Sequence, residues 1–125
     1  MNEETWTIGE LARAFGITTR AIRFYEDKGL LQPARNGQNR IYGPRDRVRL
    51  KLILRGKRLG FSLQESRELI DMYSPDADNR DQLRALLGKI DDRREQLEQQ
   101  KRDIEAMETE LHEVEQRCRE ALAGC

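Results

Sequence analysis

Thr7 to Gly29 reads TIGELARAFGITTRAIRFYEDKG, and this stretch decides the fold of the N-terminal half. Thr7 followed by Glu10 is a capping box, with the acid three residues after the cap. Ile8, Leu11, Ala12 and Phe15 then line one helical face, and Gly16 ends it. Thr18 or Thr19 caps a second helix that carries Ile22, Phe24 and Tyr25 and stops at Gly29. Two short helices joined by so tight a turn predict a helix-turn-helix unit, whose second helix is the one that enters a DNA major groove.

That second helix holds Arg20 and Arg23, three residues apart and therefore neighbours on one face. A plain solvated basic face is the alternative. The charge of the surrounding segment favours contact with DNA, where an arginine can fork onto guanine O6 and N7 or clamp a phosphate. Tyr25 can donate its hydroxyl to a phosphate or sit in the core beside Phe24, and the sequence leaves both open.

Downstream, Arg35 to Tyr42 reads RNGQNRIY. Asn36-Gly37 is a turn signal, and Arg40, Ile41 and Tyr42 follow in alternation, which predicts a small hairpin wing. Arg40 and Tyr42 would then lie along the sugar-phosphate backbone. The rival is a loop that packs Ile41 on the core, and the two are compatible. A third helix starts at Pro44, carries Val48, Leu50, Leu52, Ile53 and Leu54, and reaches Gly56 and Gly60. Ser62 and Glu65 form another capping box, followed by Leu63, Leu69, Ile70 and Met72. Between these helices Arg55, Lys57 and Arg58 offer a second phosphate-binding cluster, or else a solvated helix end. Tyr73-Ser74-Pro75-Asp76 breaks the pattern and marks a hinge or linker.

From about Asn79 the sequence becomes one long periodic segment. Leu83, Ile90, Leu97, Ile104, Leu111 and Cys118 recur every seven residues. Leu86, Met107, Val114 and Ala121 fill the position three further on, where Arg93 and Gln100 interrupt the apolar series. This is a coiled-coil seam. A narrow apolar stripe on a charged helix is not stable alone. With no second long helix in the chain, a second copy is the expected partner. Gly88 lies inside this segment and permits either close packing or a small bend.

Charge divides the same way. The 125 residues sum to zero, yet residues 1–60 hold 13 Lys/Arg against 6 Asp/Glu, and residues 61–125 hold 10 against 17. A basic head suits a polyanion, and an acidic tail does not compete for it. No run approaches the length of a membrane helix, and Met1 to Trp6 is too polar for a secretory signal. Two cysteines, Cys118 and Cys125, make no disulfide framework and fit a reducing cytoplasm. Their spacing is not that of a zinc finger, and Cys118 continues the seam as a small hydrophobe; soft-metal binding across two chains is the rival reading. The single histidine, His112, is expected to face solvent. No catalytic constellation, phosphate loop or metal motif is present, so neither enzyme activity nor a cofactor is expected.

These residues resemble the MerR family of bacterial transcription regulators over nearly the whole chain. The resemblance rests on Thr7-Ile8-Gly9-Glu10-Leu11-Ala12, on Ile17 to Glu26, on Gly29-Leu30-Leu31, on Arg40-Ile41-Tyr42, and on Leu59 to Leu63 with Glu65. It implies a mainly α fold: a winged helix-turn-helix head over residues 1–75, with a linker and an antiparallel coiled-coil dimerisation helix over residues 76–125. It further implies a homodimer on an inverted repeat in double-stranded DNA between the −35 and −10 promoter elements, bending and untwisting the site for RNA polymerase. By position, Thr19, Arg20, Arg23 and Tyr25 fall in the recognition-helix contact region, and Arg40 and Tyr42 in the wing. Metal-sensing relatives carry a cysteine at the start of the pairing helix. Asn79 to Leu83 has none, which argues against mercury, copper or zinc sensing. The runs Leu50 to Leu63 and Arg117 to Leu122 are similar to the subgroup controlling leucine and isovalerate degradation genes, which implies a small carboxylic or acyl-thioester metabolite as effector. A coiled-coil scaffold whose basic head binds RNA or an acidic protein is the alternative from a different class.

Overall fold

The computed structural model describes residues 4–74 and 76–124. In chain order it contains α1 (Ile8–Phe15), α2 (Thr19–Asp27), β1 (Ala34–Asn36), β2 (Asn39–Ile41), α3 (Pro44–Arg58), α4 (Leu63–Met72) and α5 (Arg80–Ala123). Expectations that fell on Pro75 and Cys125 lie outside the described residues. The chain divides into two compact units, the first ending at Gln82 and the second beginning at Leu83. The mainly helical fold with a helix-turn-helix pair, a hairpin wing and a long C-terminal helix is the one the sequence predicts.

Local chemistry sets the helix ends. Thr7 Oγ1 accepts from the Glu10 N–H at 3.1 Å, and Glu10 Oε1 accepts from the Thr7 N–H at 2.9 Å. Gly16 closes α1 at φ +66°, a left-handed conformation that a side chain would strain. Thr18, not Thr19, caps α2, its hydroxyl accepting from the Ala21 N–H at 3.1 Å. Ser62 and Glu65 repeat the capping box on α4.

The core of the first unit is small and drawn from every element but β1 and β2. Leu11, Ile22, Leu30, Tyr42 and Leu50 are wholly buried, with Ala12, Tyr25, Leu31, Ile53 and Ile70 around them. Only part of each apolar run goes inward. In α3 Leu50 and Ile53 are buried while Val48 is exposed; in α4 Leu69 and Ile70 are buried while Met72 is exposed; in α2 Phe24 is exposed. The 3.6-residue period selects one stripe per helix and leaves the neighbouring apolar residues outside it.

Three features of this unit come from tertiary contact alone. The Trp6 and Tyr42 backbones exchange hydrogen bonds of 2.9 and 2.8 Å, pinning the N-terminal segment to the residue after β2. Charged side chains of α3 and α4 gather the loop after α2: Arg49 Nε donates to the Leu30 carbonyl at 2.7 Å, buried Asp46 accepts from the Gln32 N–H at 2.9 Å, and Arg67 donates to the Lys28 carbonyl. Helices α3 and α4 also meet closely at Gly56, where an added Cβ would lie 2.5 Å from Ser66 Oγ.

After Tyr73 the chain is stitched by one amide. Asn79 Oδ1 accepts from the Ser74 N–H at 2.7 Å, and its Nδ2 donates to the Ser74 and Ala77 carbonyls at 2.8 and 3.1 Å. Asn79 itself sits at φ +59°, a conformation asparagine tolerates better than most residues. Helix α5 then runs for 44 residues, about 66 Å at the usual helical rise, and none of its residues is buried.

Two outcomes follow from these contacts. Gly56→Ala should lower head stability by roughly 1–3 kcal/mol in chemical denaturation, the cost of overpacking. Adding Ser66→Ala should restore much of it, because the remaining Ser66 Cβ stands 3.6 Å from the new methyl. Hydrogen bonds from the Thr7 backbone and side chain hold the Glu10 carboxyl below its ordinary range. Its contribution is therefore present above the unfolded carboxylate range and lost as pH falls through the folded value. Glu10→Gln should flatten the acid limb of stability against pH, read by thermal unfolding from neutral buffer down through and below the ordinary carboxylate range.

Candidate nucleic-acid interface

Helix α2 presents a single outward face. Arg20 and Arg23 are exposed on it, and Phe24 joins them at 47 % exposure, one turn after Arg20. Thr19 is half-buried at the first helical position. Tyr25 is in the core at 5 % exposure, its ring edge-on to Phe24 with centroids 5.7 Å apart. Of the two placements left open for Tyr25, its ring takes the core one.

The wing is a two-residue hairpin in which Ala34, Arg35 and Asn36 pair with Ile41, Arg40 and Asn39. Asn36 ends a strand, and the turn itself is Gly37-Gln38, with Gly37 at φ +66° as the first residue of a type II′ turn requires. The hairpin is braced against α2 by Glu26. This carboxylate accepts from Arg40 Nε at 2.6 Å and lies 3.5 Å from Arg35 Nη2. Arg40 is thereby drawn inward, with its side chain 26 % exposed, while Arg35 keeps 54 %.

Tyr42 corrects the expectation of a ring lying along DNA. It is wholly buried, and burial followed by the nearby Glu26 charge pushes its hydroxyl up to about 12. The hydroxyl is buried without a hydrogen-bond partner among the described residues. A phenol so placed stays protonated and serves packing, with its backbone rather than its ring holding the wing to Trp6.

Arg55, Lys57 and Arg58 are exposed at the C-terminal end of α3. Lys57 lines a groove of about 520 Å³ together with Arg20, Phe24, Phe61 and Leu63. The recognition helix and the α3–α4 junction therefore flank one depression, with a basic residue on each side. Other basic residues of the head serve packing, including Arg47, whose guanidinium lies 5.4 Å from the Trp6 ring and 5.3 Å from the Phe15 ring. Sequence reasoning missed Phe24, Arg35 and Glu26. Phe24 was legible: Ile22 and Tyr25 are one period apart and face the core, which leaves Phe24 with Arg20.

In the second unit Leu83, Leu97, Ile104, Met107, Leu111, Val114 and Cys118 are exposed, and Leu86 and Ile90 half-buried. Cys118 is a free thiol. No group of three or more His, Cys, Asp or Glu able to hold a metal ion occurs among the described residues. No described helix is long and apolar enough to cross a membrane.

Comparison with known proteins agrees with this arrangement. Residues 6–73 match the family described as MerR HTH family regulatory protein, and residues 47–114 match the family described as MerR, DNA binding. The chain is similar to the HTH-type transcriptional regulator HmrR of Rhizobium leguminosarum, 34% identical over 84% of this chain and 85% of that one. It is also similar to a mercuric resistance operon regulatory protein of Shigella flexneri, 39% identical over 90% of this chain and 76% of that one. Among solved structures it resembles HiNmlR, a MerR family regulator bound to promoter DNA, with a TM-score of 0.60 and 25% identity over 82% of this chain and 80% of that one. The match spans the helix-turn-helix, the wing and most of the long helix. The chain belongs to the MerR family of helix-turn-helix transcriptional regulators, which are sequence-specific DNA-binding proteins and not enzymes.

Proposed function

We propose that this protein acts as a homodimer, its two recognition helices reading the halves of an inverted repeat in a promoter and distorting the DNA between them for RNA polymerase. The observation that carries the reading is the outward face of α2, where Arg20, Arg23 and Phe24 stand together beside a hairpin braced by Glu26. Arginine supplies bidentate contacts to guanine, and an exposed ring supplies apolar contact to a thymine methyl. Arg35 on the wing and Arg55, Lys57 and Arg58 at the end of α3 are assigned to phosphates, which position the head without reading sequence. Tyr25 and Tyr42 keep their assignment to the contact region only through the backbone and through packing beneath it. Leu83, Leu86, Ile90, Leu97, Ile104, Met107, Leu111, Val114 and Cys118 form the dimer seam. In this reading the DNA-binding head ends near residue 75 and the remainder is linker and pairing helix.

The effector is a separate question. The similarity to regulators of leucine and isovalerate degradation implies a small carboxylic or acyl-thioester metabolite, but the relatives above give that subgroup no support. They include a mercuric resistance regulator, and a similar solved structure, PbrR691 from Ralstonia metallidurans, is a complex with lead(II). Those metals belong to those proteins. Among the described residues of one chain no group of three or more ligands occurs, and Cys118, a free thiol on the seam, leaves soft-metal binding across two chains as the rival to a metabolite effector.

Binding measured across salt concentrations separates the roles. Arg23→Ala should cost roughly 1–3 kcal/mol on the specific site and little on random duplex, whereas Lys57→Ala should weaken both alike and lower the salt slope by about 1. Equal binding of RNA, acidic protein and any duplex by the unaltered dimer would replace this reading with that of a scaffold. Glu26→Gln removes the charge that holds Arg35 and Arg40. It should loosen the wing, seen as faster amide exchange over residues 34–41, and weaken specific binding about tenfold.

A further inference from the structure

Seven residues, Tyr73 to Asn79, join α4 to α5. A free linker of that length lets its ends wander over about 15 Å. Duplex DNA rises about 3.4 Å per base pair, so heads on such linkers would absorb a change of roughly four base pairs between half-sites. The join in this protein is tied down more closely than that.

Asn79 occupies both backbone hydrogen-bonding groups of Ser74. Its Oδ1 accepts from the Ser74 N–H at 2.7 Å, and its Nδ2 donates to the Ser74 carbonyl at 2.8 Å and to the Ala77 carbonyl at 3.1 Å. One amide, on a residue at φ +59°, thus draws positions 74 and 79 together. Asp78 Oδ1 accepts from the Arg80 N–H at 3.2 Å as α5 begins. Within the first turn of that helix Gln82 reaches back to α4, where its Nε2 donates to the Leu69 carbonyl at 3.0 Å. Leu69 carries one of the last four carbonyls of α4, which have no partner within their own helix. The Tyr73 N–H bonds the Ile70 carbonyl and leaves that of Leu69 to Gln82. The bonds from Asn79 to Ser74 and from Gln82 to Leu69 are partly shielded from water, which strengthens them. All of them lie in the first unit, which ends at Gln82, so the first turn of α5 belongs to the packing of the head.

We propose that Asn79 and Gln82 are positioning residues for DNA recognition: by fastening the start of α5 to α4 they stiffen the join and restrict the dimer to one spacing of half-sites. The proposal rests on the homodimer reading above and adds to it the residues that set its tolerance for spacing. Neither side chain needs to touch DNA, because each acts through the first turn of α5. A stiff join converts a wrong spacing into the loss of one head's contacts, whereas a loose one lets both heads bind. If the two amides served only the polar groups of their own loop, they would matter equally at every DNA site.

The test begins with the full chain selecting its inverted repeat from a randomised duplex library. Selection of no repeat would overturn the homodimer reading and this proposal with it. Duplexes whose central spacer is lengthened or shortened by two base pairs then serve as probes. For the unaltered protein a wrong spacer should cost about a hundredfold in affinity, since one head binds at a time. Asn79→Gly keeps the positive φ and removes the amide; Gln82→Met keeps the side-chain length and removes the donor. In each variant the cost of a wrong spacer should fall to about tenfold or less, while affinity for a lone half-site and the dimer dissociation constant stay within about twofold. The Ser74 amide should also exchange faster in Asn79→Gly. Should that variant unfold the head, Gln82→Met, with the Asn79 turn intact, carries the same expectation. A small penalty in the unaltered protein, an undiminished one in the variants, or equal weakening at every spacer would each overturn the proposal and leave the dimer standing.

Discussion

A 44-residue helix that buries none of its own side chains is the constraint on which the rest of this molecule depends. Most of the stability of an amphipathic helix comes from packing its apolar face, and for this stripe that packing must come from outside its own unit. Covering the stripe from Leu83 to Cys118 with a second copy makes the protein two-fold symmetric. A two-fold dimer carries two recognition helices, and an inverted repeat offers two half-sites.

In the head, charge does two kinds of work that composition does not separate. A net of +7 over residues 1–60 suggests a uniformly DNA-seeking surface. Yet several of those side chains hold the fold. Arg49 anchors the Leu30 carbonyl, Arg47 lies against Trp6 and Phe15, and Arg40 is tied to Glu26. Long basic side chains lend their stems to packing while their heads reach backbone or carboxylate partners. In the proposed reading the surface that meets DNA is therefore narrower than the charge count implies, and it centres on Arg20, Arg23 and the end of α3. Glu26 links the two roles, because one carboxylate fastens the wing to the recognition helix.

Much of this was legible in the residues. Capping boxes at Thr7 and Ser62, glycine at the end of α1, proline at the start of α3 and the seven-residue repeat of α5 act over a few positions. Local signals of that kind need no tertiary information. The facing of α2 was also available from its period, although the adjacent aromatic pair concealed it. The hairpin was visible, but its turn was displaced by one residue, since Asn36-Gly37 and Gly37-Gln38 differ only in which backbone torsion is positive.

Sequence by itself determined the order of helices, the wing, the long C-terminal helix suited to dimerisation and the basic outward face of α2, because each is written in spacing and residue type within one element. Tertiary structure alone decided that the Tyr42 ring lies in the core, that Trp6 pairs with its backbone, and that Gly56 admits Ser66. It also decided that Glu26 collects two arginines from the hairpin. The physical reason is range: each of these depends on which of several similar side chains meets a segment nine or more residues away, and that choice is made only when the elements pack.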